Sequence, residues 1–212
     1  MDMGGGTYLV SLDLAAKKIL VVGAGKVAAR KIQGLPENVL SLTVISPEIS
    51  KEVEELLIGP TRRAHYIVRR IEEPDLLGHD LVFAATSDPF LNSEIARLAG
   101  ELGILVNNVS ASEDSTFTNV AVVHKGGISI GVSSNPKVPG FSMAVGKLIE
   151  EVLPEDIDRL LVLAADVRSK ALNYGHSPDG LDWIKVLNSR VFEYIRLGDF
   201  SQAEESLIEC LL

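Results

Sequence analysis

Apolar residues in the first half of the chain form short uninterrupted runs that alternate with amphipathic stretches. The run Lys18–Val22 ends at a glycine, and residues 42–45 and 64–68 form two further runs of this kind. Such runs are typical of strands that are buried on both faces of a parallel sheet. The intervening residues 26–34 and 49–57 favour helices.

A second strand–helix–strand unit follows. Residues 80–85 and 104–107 predict strands, and residues 91–102 between them predict a helix whose Ile95 and Leu98 recur on one face. Strands that alternate with helices through short links predict a parallel sheet with right-handed crossovers.

The pattern changes after Asn107. Residues 117–123 and 128–132 predict a β-hairpin. From residue 140 onward only helical patterns occur: 141–152, 156–173, and a region from 181 to 212 that is broken near Gly198. We therefore predict an α/β chain with a Rossmann-type parallel sheet in residues 1–115, a β-rich segment in 116–139 and a small C-terminal helical domain in 140–212.

The composition is that of an ordinary globular protein, with 46% hydrophobic residues among 212. No apolar run approaches the roughly 20 residues that cross a bilayer, so we expect a cytoplasmic protein without a membrane partner. A single cysteine, Cys210, excludes an intrachain disulfide. The net charge of -9 argues against nucleic-acid binding. Because acidic residues are concentrated after residue 149, we expect an anionic ligand to bind in the N-terminal part.

A glycine-rich turn, Gly23-Ala-Gly-Lys-Val-Ala28, joins the first predicted strand to the first predicted helix. Two close glycines allow the backbone to approach a pyrophosphate, which the amides at the helix N-terminus then stabilise. A structural turn in another α/β fold is the alternative. The predicted cofactor is NAD, and its predicted contacts are Gly23, Gly25, Lys26, Val27, Ala28, Ser46, Pro47, Thr86 and Asn107.

The end of the second strand leaves the choice between NAD and NADP open. Many NAD sites have an acidic residue at this position, whereas this chain has Ser46 followed by Pro47. A serine can bind either a ribose hydroxyl or a phosphate. Residues 86–88, Thr-Ser-Asp, follow the fourth strand, and we expect them either to contact the ligand or to cap the next helix.

Several segments, taken in order, resemble the dehydrogenase family of the siroheme synthases. They are KILVVGAGKVAARK at 18–31, LTVISP at 42–47, FAAT at 83–86, VN at 106–107, Phe117, and GVSS at 131–134. The resemblance implies an NAD-binding domain, a central dimerisation segment and a helical domain. It also implies a homodimer that oxidises the tetrapyrrole precorrin-2 to sirohydrochlorin with NAD+; some family members are also ferrochelatases.

One position departs from the family. Its members typically have an aspartate three residues after the asparagine of the VN strand end, and here that position is Ser110. A serine hydroxyl is a poor base without an activating neighbour. Of the two activities found in the family, we therefore expect dehydrogenation rather than metal insertion. The candidate catalytic residues are Ser110 itself and, as substitutes for the aspartate, Asp114 and His124. A solvated surface charge is the alternative for Asp114 and for His124.

The resemblance also implies the substrate contacts. Ser133 and Ser134 match the serine pair that borders the tetrapyrrole site in the family, although capping of the strand end is the alternative. Lys137 is the predicted cation for the substrate carboxylates, and the other basic candidates are Arg30, Lys31, Lys125 and Lys147. Two other functions stay open: a catalytically silent paralogue that binds a dinucleotide or tetrapyrrole, and an oxidoreductase acting on an unrelated small substrate.

Overall fold

The chain is divided into two compact units. The computed structural model describes residues 8–58, 64–134, 138, 140–173, 175 and 182–211. Val10–Asn119 make up one unit, and the chain from Val120 onward belongs to the other.

The first unit is built on five parallel strands: β1 (Lys18–Val22), β2 (Ser41–Ile45), β3 (Ala64–Ile67), β4 (Leu81–Ala84) and β5 (Leu105–Asn108). Their order across the sheet is β3-β2-β1-β4-β5. The order reverses beside β1, between β2 and β4, and ligands of open α/β sheets bind at the carboxyl ends of the strands at such a point. The predicted Rossmann-type sheet is confirmed.

Three helices connect these strands: α1 (Lys26–Gln33), α2 (Lys51–Leu57) and α3 (Pro89–Glu101). Their predicted bounds are correct to within two residues. Helix α3 begins two residues before the predicted start, because Pro89 occupies its first turn and the Asp88 carboxylate accepts hydrogen bonds from the amides of Phe90 and Leu91 (2.9 and 3.3 Å).

Both faces of the sheet are covered. Ile19 and Val21 of β1 pack in one core with α1 and α2, whereas Leu20 and Val22 pack in a second core with α3. All four side chains are buried. This double burial explains why the strand reads as a continuous apolar run rather than as an alternating one.

The second unit consists of an antiparallel hairpin and five helices in its described part. The hairpin pairs β6 (Ala121–Lys125) with β7 (Ile128–Val132). The predicted helical region is confirmed, and its break at Gly198 is a left-handed helix end with φ of 74°. The helices are α4 (Phe141–Val152), α5 (Ile157–Asn173), α6 (Trp183–Leu187), α7 (Val191–Leu197) and α8 (Phe200–Leu211).

The predicted strand over 117–123 is wrong at its start, since β6 begins at Ala121. The amides of Thr116 and Phe117 instead donate to the carbonyl of Val106 on β5 (2.9 and 3.4 Å). The Phe117 ring meets Phe83 edge to face, with centroids 5.5 Å apart. This aromatic residue therefore belongs to the core of the first unit.

Lys31, on the last turn of α1, is half-buried beside this aromatic pair. Its Nζ donates to Asn119 Oδ1 (2.6 Å) and lies 5.7 Å from the centroid of the Phe83 ring. Burial, and then the nearby charge of Arg30, lowers the pKa of Lys31 from 10.5 to about 8.

This lowered pKa predicts a pH-dependent stability. Between pH 8 and pH 10.5 the folded state binds fewer protons than the unfolded state. The free energy of unfolding that depends on this lysine is therefore highest above pH 10.5 and decreases as pH falls towards 8. Over this fall in pH, the free energy of unfolding of Lys31→Met should increase relative to that of the wild type. The increase should be only roughly 1 kcal/mol, because solvent screens a partly exposed charge. Urea unfolding at both pH values measures the difference. Arg30→Gln should move the window to higher pH, and identical pH profiles for wild type and Lys31→Met would contradict the prediction.

Candidate functional site

The glycine turn after β1 is held by backbone contacts on both sides. Gly23 has a φ of 101°, and its amide donates to the carbonyl of Ile45 at the end of β2 (2.9 Å). A Cβ at Gly23 would lie 2.3 Å from the carbonyl oxygen of Ala85, which follows β4. Only glycine fits both the conformation and the space.

The start of α1 presents amides at this turn that have no acceptor among the described residues. Gly25 is the N-cap and supplies no capping side chain, and the first turn contains no acidic residue. The first helical hydrogen bond runs from the Ala29 amide to the Gly25 carbonyl (3.0 Å). The amides of residues 26–28 precede it and, together with the helix dipole, make an anion-binding position.

A cavity of about 780 Å³ opens above this turn at the carboxyl ends of β1, β2 and β4. The end of β2 and the segments that follow β2 and β3 form one side of it, with Glu48 and Arg70 among the lining residues. The segment after β4 forms the other side. Seven of the nine predicted cofactor residues line the cavity: Gly23, Gly25, Lys26, Val27, Ser46, Pro47 and Thr86.

The other two predicted contacts are buried residues that are not among those lining the cavity. Ala28 is fully buried and packs in the core shared by α1 and the sheet. Asn107 donates from Nδ2 to the carbonyl of Phe117 (3.0 Å), while its buried Oδ1 has no hydrogen-bond partner among the described residues. Cofactor contact by either residue stays a prediction.

A fully buried asparagine, Asn92 on α3, ties the segment after β4 to the segment after β5. Its Oδ1 accepts from the amide and the hydroxyl of Thr86 (3.0 and 2.7 Å). Its Nδ2 donates to the Thr86 carbonyl (3.1 Å) and to Ser110 Oγ (2.8 Å). All four of its amide bonding positions are thus in use, and they hold Ser110 beside a residue that lines the cavity.

A second buried asparagine, Asn108, organises the loop that contains the predicted catalytic residues. Its Oδ1 accepts from the amides of Ser110 and Ala111 (2.9 and 3.2 Å). Its Nδ2 donates to Asp114 Oδ2 (3.1 Å), which also accepts from Ser93 Oγ (2.6 Å). Asp114 is exposed to solvent, and these two hydrogen bonds orient its carboxylate.

The second unit holds the remaining predicted residues. His124 is exposed on β6, and its Nδ1 lies 2.9 Å from Ser129 Oγ across the hairpin. Ser134 Oγ lies 2.8 Å from Ser142 Oγ at the start of α4, and Ser133 is exposed. Lys137 lies outside the described residues. The catalytic and substrate roles of these residues stay predictions.

Two of the other basic candidates are engaged elsewhere. Lys125 donates to the carbonyls of Leu153 and Glu150 at the end of α4 (2.7 and 3.3 Å), and Lys31 donates to Asn119. Within the part of the chain that the structure describes, no group of three or more His, Cys, Asp or Glu side chains is arranged to hold a metal ion. No helix there is long and apolar enough to span a membrane.

A family model described as "Putative NAD(P)-binding" matches residues 10–121, which is more than half of the chain. The chain belongs to this NAD(P)-binding family. The matched residues contain the glycine turn and every residue that lines the cavity.

Relatives of this NAD(P)-binding chain are siroheme synthases, which confirms the resemblance found in the sequence. Those of Psychrobacter sp. (strain PRwf-1) and Pseudoalteromonas translucida are 30% and 31% identical over 95% and 90% of the chain. The chain spans about two fifths of their length. The solved structure of SirC, precorrin-2 dehydrogenase, has the same fold, with a TM-score of 0.73 and 21% identity over 96% of this chain and all of that one.

Sequence reasoning missed Asn92 and Arg70. An asparagine in the first turn of an amphipathic helix gives no local sign that its amide bridges two strand ends. Arg70 lies beyond β3, and its place at the cavity depends on the pairing of β3 with β2. For Arg70, the only available signal was that two polar residues, Arg69 and Arg70, directly follow the predicted strand 64–68.

The two glycines of the turn should respond differently to substitution. Gly23→Ala meets the Ala85 carbonyl and a positive φ, so we expect a loss of roughly 3 kcal/mol or more in unfolding free energy. At Gly25 an added Cβ meets no protein atom within 4 Å. Gly25→Ala should therefore cost less than about 1 kcal/mol.

The same pair separates folding from binding. Because the methyl group of Gly25→Ala occupies the approach of the pyrophosphate, the Kd for NADH should rise at least about tenfold. Thermal unfolding and isothermal titration calorimetry measure the two effects on the same samples. Wild-type NADH affinity in a folded Gly25→Ala variant would remove the pyrophosphate from this position.

Proposed function

We propose that the chain is a precorrin-2 dehydrogenase that uses NAD+ to form sirohydrochlorin in siroheme biosynthesis, in the cytoplasm. The observation that carries the proposal is the cavity above Gly23 and Gly25, in a chain related over most of its length to siroheme synthases. Its fold likeness to SirC supports the same reaction.

The residues that line the cavity fit a dinucleotide. The amides of residues 26–28 would hold the pyrophosphate, and Ser46 at the end of β2 would face the adenosine ribose. Thr86, fixed by Asn92, would border the nicotinamide half. When bound, the nicotinamide of NAD+ supplies the acceptor for a hydride.

The oxidation also releases a proton, which the chain has to accept. Ser110 Oγ is hydrogen-bonded to an amide, Asn92 Nδ2, and to no acidic or imidazole side chain among the described residues. It therefore has no base to activate it. Asp114 is held by Ser93 and Asn108, and Asn108 also binds the Ser110 amide. We propose Asp114 as the proton acceptor and Ser110 as a hydrogen-bonding group beside it.

The direct test is anaerobic turnover of precorrin-2 with NAD+, followed by NADH absorbance and the sirohydrochlorin spectrum. Asp114→Asn should lower kcat about 100-fold or more, as expected for loss of a general base, and leave the Kd for NADH unchanged. Running the assay with and without ferrous ion scores metal insertion separately. A folded wild type that produces neither NADH nor sirohydrochlorin would refute the proposed activity.

The lack of an activating partner at Ser110 favours one second function, a silent paralogue that binds a dinucleotide or tetrapyrrole without turnover. Calorimetry then finds binding of NADH and of sirohydrochlorin, and Ser110→Asp is expected to create activity. Binding of NADH without any tetrapyrrole binding would instead indicate an oxidoreductase for an unrelated small substrate.

We further propose that the chain forms a homodimer through α4 and the hairpin. Phe141, Leu148 and Val152 lie on one face of α4 at spacings of seven and four residues, and all three are exposed. Val122 on β6 is also exposed. An apolar helix face of this kind is typical of a surface that associates.

Light scattering coupled to size-exclusion chromatography tests the dimer. The wild type should have twice the mass of one chain, and Leu148→Glu with Val152→Glu should have the mass of one, because a charge in an apolar interface is costly. Ile184→Glu changes a similarly exposed residue on α6 and should leave the dimer intact. A monomeric wild type would rule out this interface.

A further inference from the structure

The adenosine side of the cavity carries an arginine, Arg70, whose side chain is engaged by none of the described residues. Arg69 and Arg70 follow β3, and the fold separates their roles. Arg69 forms two hydrogen bonds with Asp75 (both 2.6 Å), and these hold the pKa of that carboxyl below its usual range. Arg70 is exposed and lines the cavity, and its guanidinium has no hydrogen bond or ion pair with any residue that the structure describes.

The backbone of Arg70 is held in place. Its carbonyl accepts from Arg69 NH1 (2.9 Å), and the Arg69 amide donates to the Ile67 carbonyl (3.1 Å). The same Ile67 carbonyl accepts from the Ser46 amide (3.2 Å). One carbonyl thus joins the segment that carries Arg70 to the end of β2.

The end of β2 is where NAD-selective Rossmann sites place a carboxylate on the ribose hydroxyls. Such a carboxylate also repels a 2′-phosphate. Here that position is Ser46, whose hydroxyl has no hydrogen-bond partner among the described residues, and whose carbonyl accepts from Tyr66 Oη (2.9 Å). A hydroxyl and a guanidinium that is not paired with any described residue, on one side of a cavity, suit a phosphate group.

Two acidic residues also line the cavity. Asp88 caps α3 and lies on the β4 side, away from the strand ends of β2 and β3. Glu48 is exposed and lies two residues after Ser46. Burial of Tyr66 and, as the smaller cause, the charge of Glu48 raise the pKa of Tyr66. Because solvent screens an exposed carboxylate, Glu48 weakens the attraction of Arg70 for a phosphate without cancelling it.

We propose that this side of the cavity binds a 2′-phosphate through Arg70 and Ser46, so that the chain accepts NADP(H) as well as NAD(H). The proposal rests on the dinucleotide site proposed above. It adds that the site selects only weakly against the 2′-phosphate, because Arg70 binds this group.

Calorimetric titration of the full chain with NADH and with NADPH, without tetrapyrrole, tests the proposal. The wild-type Kd values should agree within about tenfold. Arg70→Gln should raise the Kd for NADPH about tenfold or more, as expected for loss of a hydrogen bond between charged groups. It should change the Kd for NADH less than about twofold. Arg97→Gln removes one positive charge from α3, outside the cavity, and should change neither Kd.

Two further variants test the direction in which a carboxylate near the site changes the affinity for NADPH. Ser46→Asp should weaken NADPH selectively, because it introduces the carboxylate of NAD-selective sites. Glu48→Gln should tighten NADPH, because it removes the opposing charge. Adenosine 2′,5′-bisphosphate, compared with ADP as a probe, should lose affinity on Arg70→Gln whereas ADP should not.

Three outcomes would overturn the proposal. NADPH binding at least about 100-fold weaker than NADH in the wild type shows that the site rejects the phosphate. Equal weakening of NADH and NADPH by Arg70→Gln assigns the arginine to the adenine or the pyrophosphate. Absence of binding by both dinucleotides refutes this proposal together with the proposed function, whereas normal NADH binding leaves the proposed function standing.

Discussion

The close backbone approach of Gly23 to the Ala85 carbonyl is the constraint on which the rest of the site depends. The Ala85 amide donates to the Val22 carbonyl (2.8 Å), and the Gly23 amide donates to the Ile45 carbonyl. The Ser50 amide donates to the Ala24 carbonyl (3.0 Å) and thereby joins the start of α2 to the same turn. The three strand ends and α1 therefore hold their positions around the cavity through main-chain contacts, which a Cβ at this one position would disrupt.

These local elements were predictable because each is encoded in adjacent residues. A strand buried on both faces appears as an uninterrupted apolar run, and the turn that follows needs glycine at fixed positions. The predicted helix and strand bounds in the first unit are accordingly within two residues. The pairing of residues 116 and 117 with β5 was not predictable in this way, because Phe117 is as suitable for a hairpin strand as for the core against Phe83.

The roles of Asn92, Arg69 and Arg70 depend on contacts that the sequence does not encode locally. The two arginines are consecutive and chemically identical, yet only Arg69 meets Asp75, in the short 3-10 turn Glu73–Leu76 that the sequence pattern did not predict. Asn92 bonds to Thr86 and Ser110, six and eighteen residues away. Such partners become known only when the strand order brings the ends of neighbouring strands together.

The proposed cofactor position and the proposed reaction position of the first unit consequently depend on different kinds of contact. The proposed pyrophosphate position is made of main-chain amides and glycines, so we expect side-chain substitutions elsewhere to leave it intact. The loop after β5 is held by the side chains of Asn92 and Asn108, which bind the Ser110 hydroxyl and amide and the Asp114 carboxylate. A serine in place of the family's aspartate fits this network, since Ser110 Oγ accepts the Asn92 amide hydrogen. In the proposed function, the departure therefore changes which group accepts the proton and leaves intact the hydrogen bonds that hold the loop.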